Sequence, residues 1–137
     1  HSFPTRRSSD LVVQPVRRFT TGQPDKNEKY KIVTFSLGNF ISNQRKRYTD
    51  GGIIFELDFY KTKEEVGILD YSYLPTWVHK PNKYPDGSHF VILPGKNTDL
   101  ISKKMNLSRA DLKQMEVFLK DTKTHLNELK ITEFKFK

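Results

Sequence analysis

The stretch that decides the fold is residues 51–79, GGIIFELDFYKTKEEVGILDYSYLPTWVH. Apolar and acidic side chains alternate along its first half, which is typical of a half-buried strand. The predicted apolar face is Ile53, Phe55, Leu57 and Phe59, and the predicted solvated face carries Glu56 and Asp58. The charged connection KTKEE separates this strand from a second extended run, so the pair predicts a β-hairpin. Two carboxylates on a solvated strand face indicate paired acid–base chemistry only weakly.

Upstream of the hairpin, the run KYKIVTFSLGNF is rich in residues that favour strands. Its apolar members are Ile32, Val33, Phe35 and Leu37, with Gly38 and Asn39 closing the run. A nearly continuous apolar run predicts a strand buried on both faces. Residues 17–29 are polar and contain Gly, Pro and Asn, so they predict a surface loop. Downstream of the hairpin, HFVILPG predicts another short strand.

The C-terminal third changes to a helical period and predicts one long helix over about residues 109–127. Ser108 followed by Asp111 is close to a capping box, although Asp is shorter than the usual Glu or Gln. The predicted buried face is Leu112, Met115, Phe118, Leu119, Thr122, Leu126 and Leu129. A last short strand is expected around Ile131, Phe134 and Phe136. Strands followed by a helix predict the α+β class.

Composition limits the function classes. The chain has 137 residues and no cysteine, so a single domain is expected, without disulfides, thiolate metal sites or a cysteine nucleophile. No apolar run approaches the ~20 residues that cross a bilayer. The net charge of +8 favours anionic partners such as nucleic acid, acidic polymers or anionic membranes, or it reflects a solvated basic surface. The densest basic group is Arg45-Lys46-Arg47.

The common catalytic motifs are absent from the sequence: there is no nucleophile elbow, phosphate-binding loop or dinucleotide-binding glycine pattern. The three histidines beyond the first residue are His79, His89 and His125. They do not stand at metal-ligand spacing, so surface or hydrogen-bonded roles are expected, with His125 near the polar side of the helix. No nucleic-acid-binding motif accompanies the basic group, so nucleic acid is not the favoured partner.

The segment LGNFISNQRKRYTDGG, residues 37–52, is the unusual one. It follows a strand, and loops at strand ends carry function more often than core segments do. Its amide and guanidinium groups can bind carboxylate or phosphate oxygens. Alternatively, it is a turn-rich connection whose Asn and Gly residues occupy left-handed backbone positions. The residues alone leave these two interpretations open.

The N-terminal residues 1–11, HSFPTRRSSDL, can be written as codons that match a widely used sequencing-library adapter in one frame. An ordinary flexible tail of the same composition is the alternative. We take residues 1–11 as a non-native tail and exclude them from fold reasoning. Residues 12–137 are then expected to be native sequence that lacks part of its own N-terminal side.

Four segments of the native part carry a resemblance to a known family: VVQPV, VTFSLGNFISNQRKRYTDGGIIFEL, YLPTWVHK and FVILP. They resemble the C-terminal part of the CapA family, the poly-gamma-glutamate capsule biosynthesis proteins, over residues 12–127. The resemblance implies a calcineurin-like metallophosphoesterase fold, an α/β/β/α sandwich, with divalent metal ions in the intact protein. It also implies that the metal ligands precede VVQP, the last in a Gly-x-His-Pro-His segment, at the place that Asp10 and Leu11 hold here.

We therefore expect an incomplete CapA-like domain without metal ligands or catalytic residues, inactive by itself. The intact protein would serve bacterial capsule or poly-gamma-glutamate synthesis or export at the cell envelope, and it could be a metallophosphoesterase-type hydrolase. Its partners would be an anionic polymer or phosphate-containing substrate and the missing part of its own chain. The residues expected to line the substrate or to support the metal ligands are Gly38, Asn39, Asn43, Gln44, Arg45 and Asp50. The alternative is a small basic module that binds an acidic polymer or nucleic acid.

Overall fold

The computed structural model describes residues 11–21, 29–83, 89–127 and 132–133. Across these ranges the chain forms six strands in two sheets and two helices, which confirms the α+β class. The elements are β1 Val16–Thr21, β2 Lys29–Thr34, β3 Gly51–Lys61, β4 Val66–His79, β5 Val91–Pro94, α1 Thr98–Met105, α2 Arg109–Asn127 and β6 Thr132–Glu133.

The β3–β4 hairpin forms as predicted, antiparallel from the Gly51–Trp77 pair to the Lys61–Val66 pair. Ile53 is buried, and Glu56 and Asp58 are exposed, as the alternation predicts. Phe59 does not follow the apolar face, because the register shifts between Asp58 and Phe59. The extra residue at this shift is Leu69 of β4, and Phe59 lies directly beyond it and is 63% exposed.

The larger sheet has the order β3-β4-β5, with β6 pairing in parallel with β4. The short strand predicted from FVILP is β5, which pairs antiparallel with the end of β4. The expected last strand is β6, at Thr132–Glu133. The apolar residues from which it was predicted, Ile131, Phe134 and Phe136, lie outside the described residues.

Two of the sequence predictions are wrong for the smaller sheet, which consists of β1 and β2. Residues 17–21 and Lys29 are not loop but strand, because β1 pairs with β2 from the Val16–Thr34 pair to the Thr21–Lys29 pair. The rest of the predicted loop lies outside the described residues. The strand β2 is not buried on both faces either, because one face of the β1–β2 sheet is left exposed among the described residues. Exposure alternates along this segment instead, so that Val33 and Phe35 are exposed while Ile32 is half-buried.

The core consists of two clusters of buried side chains, both formed around β4 and α2. The first is Val16, Ile53, Tyr73 and Leu126, and the second is Trp77, Leu93, Met115, Phe118 and Leu119. These lists confirm the predicted apolar face of α2, along with buried Thr122 and half-buried Leu112. Leu129 lies outside the described residues. The helix therefore packs against residues 73–77 of β4, the part of this strand that pairs with residues 51–55 of β3.

The helix α2 forms over Arg109–Asn127 as predicted, and a second helix, α1, precedes it. The helix α1 was not predicted, because its eight residues carry one apolar pair at helical spacing, Ile101 and Met105, which is half-buried against the second core cluster. It is bounded by Asn97 and Asn106, both in the left-handed conformation.

At the start of α2, the backbone N–H of Asp111 donates to Ser108 Oγ at 3.1 Å. The Asp111 carboxylate accepts from the Ser108 hydroxyl at 2.6 Å, so the cap is a local pair of bonds between these residues.

The outer face of the β1–β2 hairpin carries Phe19, Val33 and Phe35, which are 44%, 38% and 58% exposed. We expect the purified chain to self-associate with increasing concentration, because burying such a face removes apolar area from water. Phe35→Thr should weaken this association, whereas Phe59→Thr, at the far end of β3, should leave it unchanged. Sedimentation analysis of the three proteins checks this, and a strictly monomeric parent chain would contradict it.

Candidate functional site

The unusual segment, residues 37–52, is a loop that runs into the start of β3, and its two ends are bonded to each other. Gly38 and Gly52 form an isolated antiparallel bridge. The Asn39 N–H donates to Gly51 O at 2.9 Å, and the Ile53 N–H donates to Leu37 O at 2.8 Å. Gly38 has φ of +77°, and a Cβ at this position would lie 2.8 Å from Gly51 O. The ends can approach this closely because both sides of the bridge are glycine.

Asn39 closes the loop a second time through its side chain. Its Nδ2 donates to Thr49 O at 2.7 Å, and Thr49 in turn donates through its N–H and hydroxyl to Lys46 O, at 3.0 and 2.8 Å. The polar groups of Asn39 are thus used to hold the loop together. For Gly38 and Asn39, the structure favours the interpretation as a shaped connection.

Asp50 fixes the loop to the core. Its carboxylate Oδ2 accepts from Trp77 Nε1 at 2.8 Å, and its carbonyl oxygen accepts from the Val78 N–H at 2.9 Å. Asp50 is 6% exposed, and Trp77 is fully buried. Burial raises the pKa of the Asp50 carboxyl, while the bond from Trp77 acts in the opposite direction. A buried carboxylate is expensive unless it is paired, so the indole bond is the contact that stabilises this position.

Arg45 lies against the same tryptophan. Its NH1 donates to Val78 O, and its Cζ lies 5.8 Å from the centroid of the Trp77 ring. Its buried NH2 has no hydrogen-bond partner within the described part of the chain. Burial lowers the pKa of Arg45, and the nearby charge of Asp50 opposes this effect. The guanidinium is therefore held in place, but its charge and donors are only partly compensated.

His79 completes the cluster around Trp77. The two rings stack with their centroids 5.8 Å apart and their planes 29° apart. His79 is 6% exposed, and its Nδ1 has no partner among the described residues. The expectation of a surface or hydrogen-bonded histidine is therefore wrong for this nitrogen. The same holds for Nε2 of His125, which is buried without a partner in the described ranges, whereas His89 is exposed.

The six predicted site residues separate into three groups. Arg45 and Asp50 meet around Trp77, whereas Gly38 and Asn39 shape the base of the loop. Asn43 and Gln44 are exposed: Asn43 Oδ1 accepts from Lys80 Nζ at 3.2 Å, and the Gln44 N–H donates to Ser42 Oγ at 3.1 Å. The structure thus brings together one charged pair of the six and gives the others local roles.

A cleft of about 390 Å³ lies between this loop and α2. We call it the loop–helix cleft. It is lined by Arg45, Arg47, Tyr48 and Asp50 from the loop, and by Ala110, Lys113, Gln114, Val117 and Phe118 from the helix. Tyr48 has φ of +75°, which is rare for a bulky residue and marks local backbone strain.

Arg47 links the rim of the cleft to α2. Its Nε and NH2 donate to the two carboxylate oxygens of Asp121 at 3.0 and 3.2 Å, a bidentate pair. Its Cζ also lies 5.0 Å from the Tyr48 ring centroid. Two of the three residues in the basic group Arg45-Lys46-Arg47 are therefore engaged within the molecule. The group is not a continuous free basic patch.

Sequence reasoning did not include Trp77, His79 and the α2 residues in the site. Trp77 and His79 stand two residues apart on a strand, which places them on one face. That pattern beside the loop was a usable signal for the pair. No such signal existed for Lys113, Gln114 and Val117, because only the packing of α2 on β4 brings the helix to the loop.

Two further findings concern metals and membranes. In residues 11–21, 29–83, 89–127 and 132–133, no three His, Cys, Asp or Glu side chains are grouped closely enough to hold a metal ion. Of the described helices, neither is long and apolar enough to span a bilayer.

The buried His79 predicts a pH dependence of stability. Burial lowers its pKa, the charge of Arg45 lowers it further, and Asp111 acts in the opposite direction. Below about pH 6.5, the ordinary histidine pKa, the unfolded chain binds the proton more readily than the folded chain. The free energy of unfolding should therefore fall as the pH drops below about 6.5, until the folded pKa is passed.

The pKa of Asp50 is shifted upward, so this carboxyl changes the free energy of unfolding in the opposite direction to His79 and at lower pH. Its raised pKa means that its favourable contribution is complete in acid below about pH 4 and is lost as the pH rises through the folded value. His79→Gln separates the two effects, because it should remove the loss near pH 6 and leave the lower range unchanged. Urea unfolding at several pH values measures this, with His89→Gln as the exposed control. An unchanged profile in His79→Gln would contradict the assignment.

The chain was compared with known proteins, and no protein-family model, curated protein or solved structure matches it.

Proposed function

We propose that this chain is the C-terminal part of a CapA-like domain from a bacterial surface-polymer pathway. The observation that carries the proposal is the contact between the two halves of the resembling segment. SLGNF and TDGGI, 11 positions apart from Gly38 to Thr49, meet through the Gly38–Gly52 bridge and the bond from Asn39 to Gly51. The resemblance thus rests on residues that fold as one unit.

The glycines in this contact support the proposal because a side chain at their positions would clash with neighbouring atoms. A Cβ at Gly52 would lie 2.7 Å from Leu37 O, and one at Gly51 would contact Thr76 O and lie 2.6 Å from Phe118. Three glycines at these spacings satisfy separate steric requirements of one loop.

We also propose an architecture and a role for the intact protein. We infer that the two sheets and α2 belong to a metallophosphoesterase-like α/β/β/α sandwich, whose remaining part carries the metal ions and packs against the exposed face of Phe19, Val33 and Phe35. The intact protein would act at the cell envelope in synthesis or export of an anionic polymer, on that polymer or on a phosphate-containing substrate. Arg45 and Asp50 would then lie on the substrate side of the domain.

The test begins with the source DNA upstream of the Val12 codon. We expect it to encode Gly-x-His-Pro-His running into VVQP, with further Asp, Asn and His segments before it. The longer protein and residues 12–137 would then be assayed side by side with Mn²⁺ and a phosphate monoester. Activity restricted to the longer protein agrees with the proposal, whereas metal-dependent activity of residues 12–137 contradicts it.

The alternative basic binding module gives a different result. It requires binding to an acidic polymer or to nucleic acid that weakens steeply with salt and depends on Arg45, Lys46 and Arg47. Because Arg45 and Arg47 are engaged with Val78 O and Asp121, we expect the triple alanine variant to lose stability more clearly than polymer binding. Salt-dependent binding that disappears in a folded triple variant would favour the module.

A further inference from the structure

We propose that the loop–helix cleft is a binding site for a small organic acid with one carboxylate and an apolar body. The cleft would take such a ligand whether or not the chain belongs to a CapA-like protein.

The shape and the walls of the cleft determine the apolar part of the ligand. Its volume of about 390 Å³ lies in the range of roughly 300–1,000 Å³ that is usual for small-molecule sites. Tyr48, Val117 and Phe118 form apolar walls, and Tyr48 and Val117 are 48% and 38% exposed. Apolar walls with a few placed polar groups are the usual composition of such sites. A short aliphatic chain would fit this surface.

The charges of the lining determine the head group. Arg45, Arg47 and Lys113 supply three cations, and Asp50 is the one carboxylate among the described lining residues. Asp121 neutralises Arg47 from outside the lining. Asp50 and Asp111 both act on Arg45, which leaves Lys113 as the lining cation without a carboxylate partner among the described residues. A carboxylate carries the matching single charge, whereas a phosphate dianion would leave the site negative.

The polar groups of the cleft are already held in place. Val78 O and the Trp77 ring position Arg45, Asp121 positions Arg47, and Asp50 is anchored by the indole N–H. The strained backbone at Tyr48 adds a feature that is concentrated at ligand sites in proteins. A ligand would therefore bind without the cost of ordering these side chains.

The fluorescence of Trp77 can report the binding of a ligand in the cleft. Trp77 is the only tryptophan of the chain, and its ring contacts Arg45 while its Nε1 donates to Asp50. Hexanoate would be titrated into the full chain at fixed ionic strength, with binding heat as the primary readout and Trp77 fluorescence as the reporter of location. Acetate, hexanol and inorganic phosphate would be titrated in the same way. We expect saturable hexanoate binding with a Kd on the order of 1 mM, weaker acetate and phosphate binding, and none with hexanol.

The matched variants are Lys113→Met in the cleft and Lys63→Met in the turn between β3 and β4, both at exposed lysines. Lys113→Met should weaken hexanoate binding by about tenfold, the size of one charge-assisted hydrogen bond, and Lys63→Met should leave it unchanged. Equal weakening in both variants, or no saturable heat with the parent chain, would overturn the proposal. Tighter binding of phosphate than of hexanoate would overturn the assignment of the ligand class. None of these outcomes depends on the metal-dependent assay of the proposed function.

Discussion

Gly51→Ala should lower the free energy of unfolding by roughly 3 kcal/mol, the largest effect we expect from a single methyl group in this chain. Gly51 pairs with Trp77 across β3 and β4, and the Phe118 ring of α2 lies directly over it. A Cβ would contact Thr76 O and lie 2.6 Å from Phe118 Cε1. The carbonyl belongs to the central strand and the ring to the core, so neither can move aside without disturbing the packing.

Gly67→Ala is the matched control. Its Cβ would also meet another residue, but the atoms it meets are at the far end of the half-buried Tyr60 side chain. That side chain can change rotamer, so we expect a loss of about 1 kcal/mol or less. Denaturant unfolding followed by Trp77 fluorescence measures both variants. Equal losses in Gly51→Ala and Gly67→Ala would contradict the close packing of α2 on the start of β3.

Asp50→Ala should lower the free energy of unfolding by about 2 kcal/mol, because it leaves the buried Trp77 Nε1–H without its acceptor. Asp50→Asn keeps an oxygen that can accept this bond and removes a charge that burial opposes. We therefore expect Asp50→Asn to remain within about 1 kcal/mol of the parent chain. Asp58→Ala, at an exposed carboxylate of the same hairpin, should change stability by no more than about 0.5 kcal/mol.

The pair of Asp50 variants separates two explanations for this buried carboxylate. If Asp50→Asn is as damaging as Asp50→Ala, the charge itself is required, and its attraction to Arg45 outweighs the indole bond. If Asp50→Asn is harmless, the hydrogen bond is the stabilising contact. Trp77 fluorescence in the folded variants shows whether the indole keeps its environment.

The elements that sequence reasoning predicted correctly are those with local causes. The alternation of Ile53 to Leu57 and the charged connection after Lys61 determine the β3–β4 hairpin, because side chains two positions apart share a strand face. The helical spacing of Met115, Phe118 and Leu126 determines α2 and its buried face. In these segments, propensity, period and packing agree.

The incorrect predictions came from interactions between distant segments. Residues 17–21 look like loop because their polar character hides a strand that exists through its pairing with β2. Phe59 is exposed beyond the point where the β3–β4 register shifts, and Val33 is exposed because it lies on the uncovered face of the β1–β2 sheet. The helix α1 has eight residues and one apolar pair, Ile101 and Met105, which is too short a pattern from which to predict it.

For the candidate site, the sequence by itself determined the loop: its glycines, its amides and the positions of Arg45 and Asp50 are all visible in LGNFISNQRKRYTDGG. Only the tertiary structure decided which of those side chains share a site. Arg45 and Asp50 meet because both contact Trp77 on β4, 27 residues from Asp50. The cleft exists because α2 packs its apolar face on that same strand and brings Lys113 and Val117 to the loop. A local pattern specifies its own backbone, whereas a cleft requires the burial of apolar area between segments that are distant in sequence.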